Sequence, residues 1–254
     1  MAGSGTTARD GDELLTRALG LVEAAESPGL PLRLLGGLAV KARCPSSALP
    51  PFLRRSSDAD FVAGARCDRV EAFFASQGWT GDREFNLYNG ASRLIFRSPA
   101  GDKADVFVGT FRMCHEIPLA GRLTVDPVSI PLAELLLTKL QVVEANAKDY
   151  SDAASILADH DVGGTDGEAI NGARVASLCG ADWGLWKTAS TALERLDAWV
   201  GAELGEGPSA TLIRGRIKRI LEYMEAESKT LAWRLRATVG ERVKWYEIPE
   251  EAER

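Results

Sequence analysis

Apolar residues first recur at helical spacing over residues 11–27, where Leu14, Leu15, Ala18, Leu19, Leu21, Val22 and Ala25 fall on one face. Pro28-Gly29-Leu30-Pro31 ends that helix. Leu34-Leu35 then leads into Gly36-Gly37 as a short buried strand, and a helix follows over residues 37–43. Residues 44–57, with Pro45, Pro50, Pro51 and several serines, read as a loop, longer than most connections between core elements. Asp58-Ala59-Asp60-Phe61-Val62 reads as a strand. Residues 67–77 form a second amphipathic helix with Val70, Phe73 and Phe74 inward. Three strand-like runs follow, at 84–88, 93–97 and 103–108, and a tight turn at 98–102 joins the last two as a hairpin. Residues 123–125 read as an edge strand.

From Pro131 the pattern is helical. One helix, with proline in its first turn, runs to about residue 147 and another spans 149–160. Gly163-Gly164-Thr165-Asp166-Gly167 breaks the chain, and helices follow over 168–178, 182–204 and 208–239. No repeat of 20 to 50 residues is present. The chain therefore reads as α+β: a mixed sheet with flanking helices in residues 1–162, then a helical C-terminal domain in 163–254.

Composition narrows the picture. A chain of 254 residues that is 45% hydrophobic and 26% charged has ample material for a core. Its net charge of −6 argues against whole-chain coating of nucleic acid, though not against a local basic patch. Cys44, Cys67, Cys114 and Cys179 form no Cys-x-x-Cys pair, and with only His115 and His160 beside them a zinc site is not expected. Scattered cysteines and the lack of a long apolar run point to a cytoplasmic protein with no membrane partner. Residues 1–9 read as a tail without a signal-peptide core.

The candidate chemistry lies where the first strands meet. Two glycines at a strand-to-helix turn let a ligand approach the backbone without Cβ atoms intervening. The free N–H groups of the helix start favour an anion there. Asp58 and Asp60, two apart on a strand, point to one face. Paired carboxylates make a hard-oxygen site suited to Mg²⁺ or Mn²⁺ carrying a phosphate. Asp105, within the hairpin strand, is a third candidate. Together these residues suggest metal-dependent chemistry on a nucleoside triphosphate.

At this point the chain resembles the nucleotidyltransferase (polymerase-β-like) superfamily, and within it bacterial proteins of the AbiEii/MenT toxin type. Gly36-Gly37-Leu38-Ala39-Val40 is similar to their Gly-Gly-x-Ala-apolar turn. Arg54-Arg55-Ser56-Ser57-Asp58-Ala59-Asp60-Phe61 is similar to their Arg-x-Ser/Thr-x-Asp-x-Asp run. Lys139-Leu140 and Lys148-Asp149-Tyr150-Ser151-Asp152 resemble their helical Lys…Arg-Asp-x-x-Asp segment. The loop before Asp58 is longer than the family pattern, and Glu144 stands where toxin-type relatives often carry a basic residue.

The resemblance implies a nucleotidyltransferase-fold sheet that moves a nucleoside monophosphate from an NTP to RNA or tRNA, a protein or a small molecule. It implies Asp58 and Asp60 as metal ligands and Asp105 as a further ligand or base. Lys139 would meet the triphosphate, Asp152 would assist, and Gly36, Gly37, Arg54 and Ser56 would line the nucleotide site. It also implies a possible antitoxin partner. The other reading is an inert module of the same fold that binds nucleic acid or protein.

Each residue also has a plainer role: Gly36-Gly37 as a turn, Arg54 as a loop charge, Lys139 on a solvated face. Between residues 211 and 245 nine Lys and Arg stand against four Glu, a local +5. Arg214, Lys218 and Arg219 fall at helical spacing there. They read either as a solvated helix face or as a phosphate-tracking surface for an RNA acceptor.

Overall fold

The computed structural model describes residues 6–248, with side chains from Glu13 on. Of the tail expected over residues 1–9, residues 1–5 lie outside the described residues. Residues 6–9 are the first turns of helix α1 (Thr6–Glu26). The chain divides into two units. One takes the described residues up to Arg43, with Arg54–Phe111 and Pro118–Pro131. The other takes Cys44–Leu53, Arg112–Ile117 and the described residues from Leu132 on.

In the first unit α1 turns Leu14, Ala18, Leu21, Val22 and Ala25 inward. Then come β1 (Leu32–Leu35), α2 (Gly36–Arg43), β2 (Asp58–Ala63), α3 (Cys67–Ser76), β3 (Thr80–Gly81), α4 (Arg83–Asn89), β4 (Arg93–Arg97) and β5 (Lys103–Val108). The five strands form one mixed sheet in the order β1-β2-β5-β4-β3. The β2–β5 pair is parallel, and the other pairs are antiparallel.

Alternation along these strands makes two different faces. Phe61, Leu94, Phe96, Ala104 and Val106 lie on one. Phe74 of α3 covers it, stacked on Phe96 at 4.3 Å between centroids and edge-on to Phe61 and Trp79 at 6.0 Å each. Asp58, Asp60 and Asp105 lie on the other.

Two expectations in this unit need correction. The run at 84–88 is helical, not a strand. Asp82 caps α4 by accepting from the Phe85 N–H, and the buried Asn86 side chain bonds the Ile95 backbone in both directions. Nor is there a strand at 123–125, which follows a 3₁₀ turn at Ala120–Arg122. The neighbour of β1 is the next stretch instead. Leu34 N–H donates to the Val128 carbonyl and Ile130 N–H to the Leu34 carbonyl, each at 2.9 Å. Asp126 fixes that stretch by accepting from the Val128 and Ser129 N–H groups while pairing with Arg43 at 2.5 Å.

Short strands β6 (Thr110–Arg112) and β7 (Glu116–Pro118) come next in the chain. The second unit is mainly helical: α5 (Leu132–Leu140), α6 (Ala147–Asp159), α7 (Gly172–Ala181), α8 (Trp183–Leu204), α9 (Pro208–Ala226) and α10 (Leu231–Val239). Between α6 and α7, β8 (Val162–Gly163) pairs in parallel with β9 (Ile170–Asn171), which the glycine-rich break did not suggest.

The helix expected up to residue 147 ends at Leu140, and α6 starts at a capping box between Asn146 and Asp149. The helix expected over 208–239 is two, because Thr230 caps α10 by accepting from the Trp233 N–H. α5 and α6 pack on α7, α8 and α9 within the second unit; the sequence reading placed a domain boundary at 163. Among the described residues no helix is long and apolar enough to cross a membrane.

Candidate active site on the open face of the sheet

The first unit brings together Gly36, Gly37, Arg54, Ser56, Asp58, Asp60 and Asp105. β1 is fully buried, and its last residue, Leu35, lies opposite Asp60 in the antiparallel pair. The chain must then turn at once into α2, and Gly36 does so with φ of +67°. That conformation suits glycine because a Cβ would crowd the backbone. Here it would also strike a neighbour: a Cβ on Gly36 would lie 2.0 Å from Asp60 Oδ2. The Asp60 carboxylate therefore rests directly on the glycine backbone.

Gly37 repeats the arrangement with different partners. A Cβ there would lie 2.0 Å from an Arg54 guanidinium nitrogen and 2.7 Å from Ser56 Oγ. The end of the long loop thus folds its guanidinium and hydroxyl over the second glycine. At the start of α2 a cation, a hydroxyl donor and backbone N–H groups converge, which is the chemistry of an anion cradle.

The parallel register sets the carboxylates. Asp60 lies opposite Asp105, and Asp58 opposite Lys103. Partners in register share a face, so Asp58, Asp60 and Asp105 project from the same side of the sheet. Their surroundings differ. Asp58 and Asp60 are half-buried, while Asp105 is 4% exposed.

Asp105 is held by a residue that the sequence reading passed over. Arg93 donates from Nε to Oδ1 at 2.8 Å and from Nη2 to Oδ2 at 2.5 Å, a bidentate pair. In the β4–β5 hairpin Arg93 is opposite Phe107, and Asp105 opposite Ile95, so the pair forms along the diagonal. The guanidinium lies over the Phe107 ring at 5.0 Å and the Phe85 ring at 5.7 Å. Its pKa is raised above the ordinary value, first by the hydrogen bond to Asp105. Attraction to Asp105 and Asp60 adds to this, while burial opposes it.

Both Asp105 oxygens are therefore engaged. Among the described residues no group of three or more Asp, Glu, His and Cys is placed to hold a metal ion. Asp58 and Asp60 alone fit a divalent cation that brings phosphate oxygens with it, since Mg²⁺ commonly takes one or two protein carboxylates.

Lys139 and Asp152 belong to the second unit, where they meet each other. Lys139 Nζ lies 2.8 Å from Asp152 Oδ2, with side chains 12% and 3% exposed. Spacing in the sequence gave no basis for that contact. Nearby, Glu134 of α5 is fully buried and pairs with Arg174 at 2.9 Å.

Several charges on α9 have partners. Arg214 reaches Asp197 at 3.3 Å and Glu206 at 3.2 Å, and Lys218 lies 3.8 Å from Glu222. The two histidines make structural contacts. A His115 ring nitrogen is 2.8 Å from Thr188 Oγ1, burial lowers the His115 pKa, and His160 bonds the Glu168 carbonyl. All four cysteines are free thiols, and burial pushes Cys179 up to about 12.

No protein-family model matches this chain, and no curated protein sequence matches it. Among solved structures it is similar to an antigenic nucleotidyltransferase-like protein from Paracoccidioides brasiliensis. The two are 15% identical with a TM-score of 0.41, over 87% of this chain and 96% of the other.

Proposed function

We propose that the sheet unit is a nucleotidyltransferase site that binds a nucleoside triphosphate with a divalent cation and transfers its nucleoside monophosphate to an acceptor. The observation that carries this reading is the seating of Asp60 on Gly36, beside Asp58 on one strand face and next to the Arg54–Ser56 cradle over Gly37. An ordinary turn has no need of two glycines whose missing Cβ atoms make room for a carboxylate and a guanidinium.

Asp58 and Asp60 would hold the cation. When bound, it would offset phosphate charge and lower the pKa of the attacking hydroxyl. The α2 N–H groups, Arg54 and Ser56 bind and orient the phosphates, which fixes the α-phosphorus for in-line attack. Asp58 and Asp60 stand on β2 and the α2 N–H groups on the turn at Gly36, which are regular elements of the sheet unit. The sequence resemblance supports the same assignment. The narrower AbiEii/MenT-type reading, as the toxin of a toxin–antitoxin pair, rests on that resemblance alone. The ion pairs of Arg214 and Lys218 fit the plainer reading of α9 as a solvated helix face.

One observation favours the inert binding module: the third carboxylate, Asp105, is taken up by Arg93. A label-transfer assay separates the two readings. The purified chain is incubated with each α-labelled NTP, Mg²⁺ and total RNA or cell protein. Label should pass to an acceptor with the wild type and not with Asp58→Asn. No labelled product and no pyrophosphate with any of the four NTPs would leave the binding module.

A further inference from the structure

We infer that Asp105 serves Arg93 rather than a metal ion. The site then takes a single divalent cation, on Asp58 and Asp60, and the Arg93 guanidinium is its second fixed positive charge, directed at a nucleotide phosphate. This rests on the nucleotidyltransferase reading and goes beyond it.

Three features of Arg93 carry the inference. First, its bond to Asp105 is bidentate and strand-to-strand, so the guanidinium plane is fixed by the hairpin register. Second, that bond uses two of the five guanidinium N–H groups. Three remain, on a side chain that is 21% exposed while its carboxylate partner is 6% exposed. The protein covers the carboxylate end of the pair and leaves the cation end accessible. Third, Asp60 stands opposite Asp105 in the β2–β5 register and attracts Arg93. The guanidinium charge therefore acts on the face that carries the proposed cation. A planar guanidinium with spare forked donors suits a phosphate, and the Phe85 and Phe107 rings hold its plane in place. Asp105 is thus a positioning residue, acting through Arg93.

The test counts metal ions instead of turnover. Mn²⁺ is titrated into the full chain by electron paramagnetic resonance, with each of four α,β-methylene NTP analogues in turn. The wild type should bind one Mn²⁺ per chain with an analogue, and Asp58→Asn none. Asp105→Asn should keep one Mn²⁺ at an affinity within about threefold of wild type, while affinity for the analogue falls about tenfold and affinity for the bare nucleoside stays put. Arg93→Lys keeps the buried charge pair but not the fork, so it guards against a folding defect. It should show the same tenfold loss and the same single Mn²⁺.

Two Mn²⁺ per wild-type chain would overturn the inference and leave the nucleotidyltransferase reading standing. So would an Asp105→Asn chain that loses Mn²⁺ as completely as Asp58→Asn, or an Arg93→Lys chain with unchanged analogue affinity. A wild type that binds Mn²⁺ with none of the analogues would remove both.

Discussion

The two units each bury an ion pair, and the pairs are built differently. In the sheet unit Arg93 grips Asp105 with two parallel hydrogen bonds between adjacent strands, on a face that also carries Asp58 and Asp60. In the helical unit Lys139 Nζ meets Asp152 Oδ2 at 2.8 Å, between α5 and α6. Buried pairs are costly to desolvate and are poor evidence of stability by themselves. What separates these two is what each pair leaves over. The guanidinium keeps three donors, partly exposed and electrostatically coupled to another acid. The ammonium is nearly covered, and its partner is more so. The first pair is arranged to meet a ligand. The second ties two helices whose connecting segment, residues 141–146, has no regular structure to do so.

The sharpest way to break this contrast is to remove the acids of the sheet face. Asp58→Asn or Asp60→Asn should abolish label transfer with an unchanged circular dichroism spectrum, because removing the charge empties a hard-cation site. Near wild-type transfer in either variant would strip the sheet face of its role.

The next largest effect belongs to the helical pair and should appear as stability. Lys139→Ala removes the ammonium 2.8 Å from a 3% exposed carboxylate, and urea denaturation should report a loss of about 2 kcal/mol. A Lys139→Ala chain that keeps its stability but loses NTP affinity would instead make Lys139 a triphosphate contact, as the family resemblance implies.

Much of the sheet face was legible in the sequence, and the reasons are specific. Gly36-Gly37 and Asp58-Ala59-Asp60 declared a turn and a strand face through local rules alone. Arg93 was missed although its signal was present. A hairpin turning at residues 98–102 sets Arg97 opposite Lys103 and hence Arg93 opposite Phe107, diagonal to Asp105. Following the register through would have found it.

The run at 84–88 misled because Phe85 and Leu87 alternate as in a strand, yet Leu87 and Tyr88 are 79% and 78% exposed. Alternation there did not reflect burial, and the Asp82 cap was the better cue. The end of α5 at Leu140 had no glycine or proline to announce it; only the Asn146–Asp149 capping box marked the restart. The Lys139–Asp152 contact depends on how two helices pack, which spacing does not encode.

A smaller effect should come from the cradle. Gly36→Ala forces a left-handed backbone on alanine, at about 1–2 kcal/mol, and pushes a methyl into Asp60. NTP affinity should fall about tenfold or more, measured by calorimetry. Unchanged affinity would mean that the turn only connects β1 to α2. The smallest effect is expected on α9. Arg214→Glu with Arg219→Glu should alter transfer to a protein or small-molecule acceptor by less than about twofold, since exposed pairs contribute little. A large loss of RNA labelling in that variant would restore α9 as an acceptor surface.

In the proposed function the sheet unit binds a nucleoside triphosphate through Asp60 and a divalent cation. Isothermal titration of each NTP into the wild type and into Asp60→Asn, with Mg²⁺ and with EDTA, tests it most directly. The wild type should bind at least one NTP in Mg²⁺, and that binding should be lost both in EDTA and in Asp60→Asn. Equal binding in all four conditions, or none with any NTP, would contradict it.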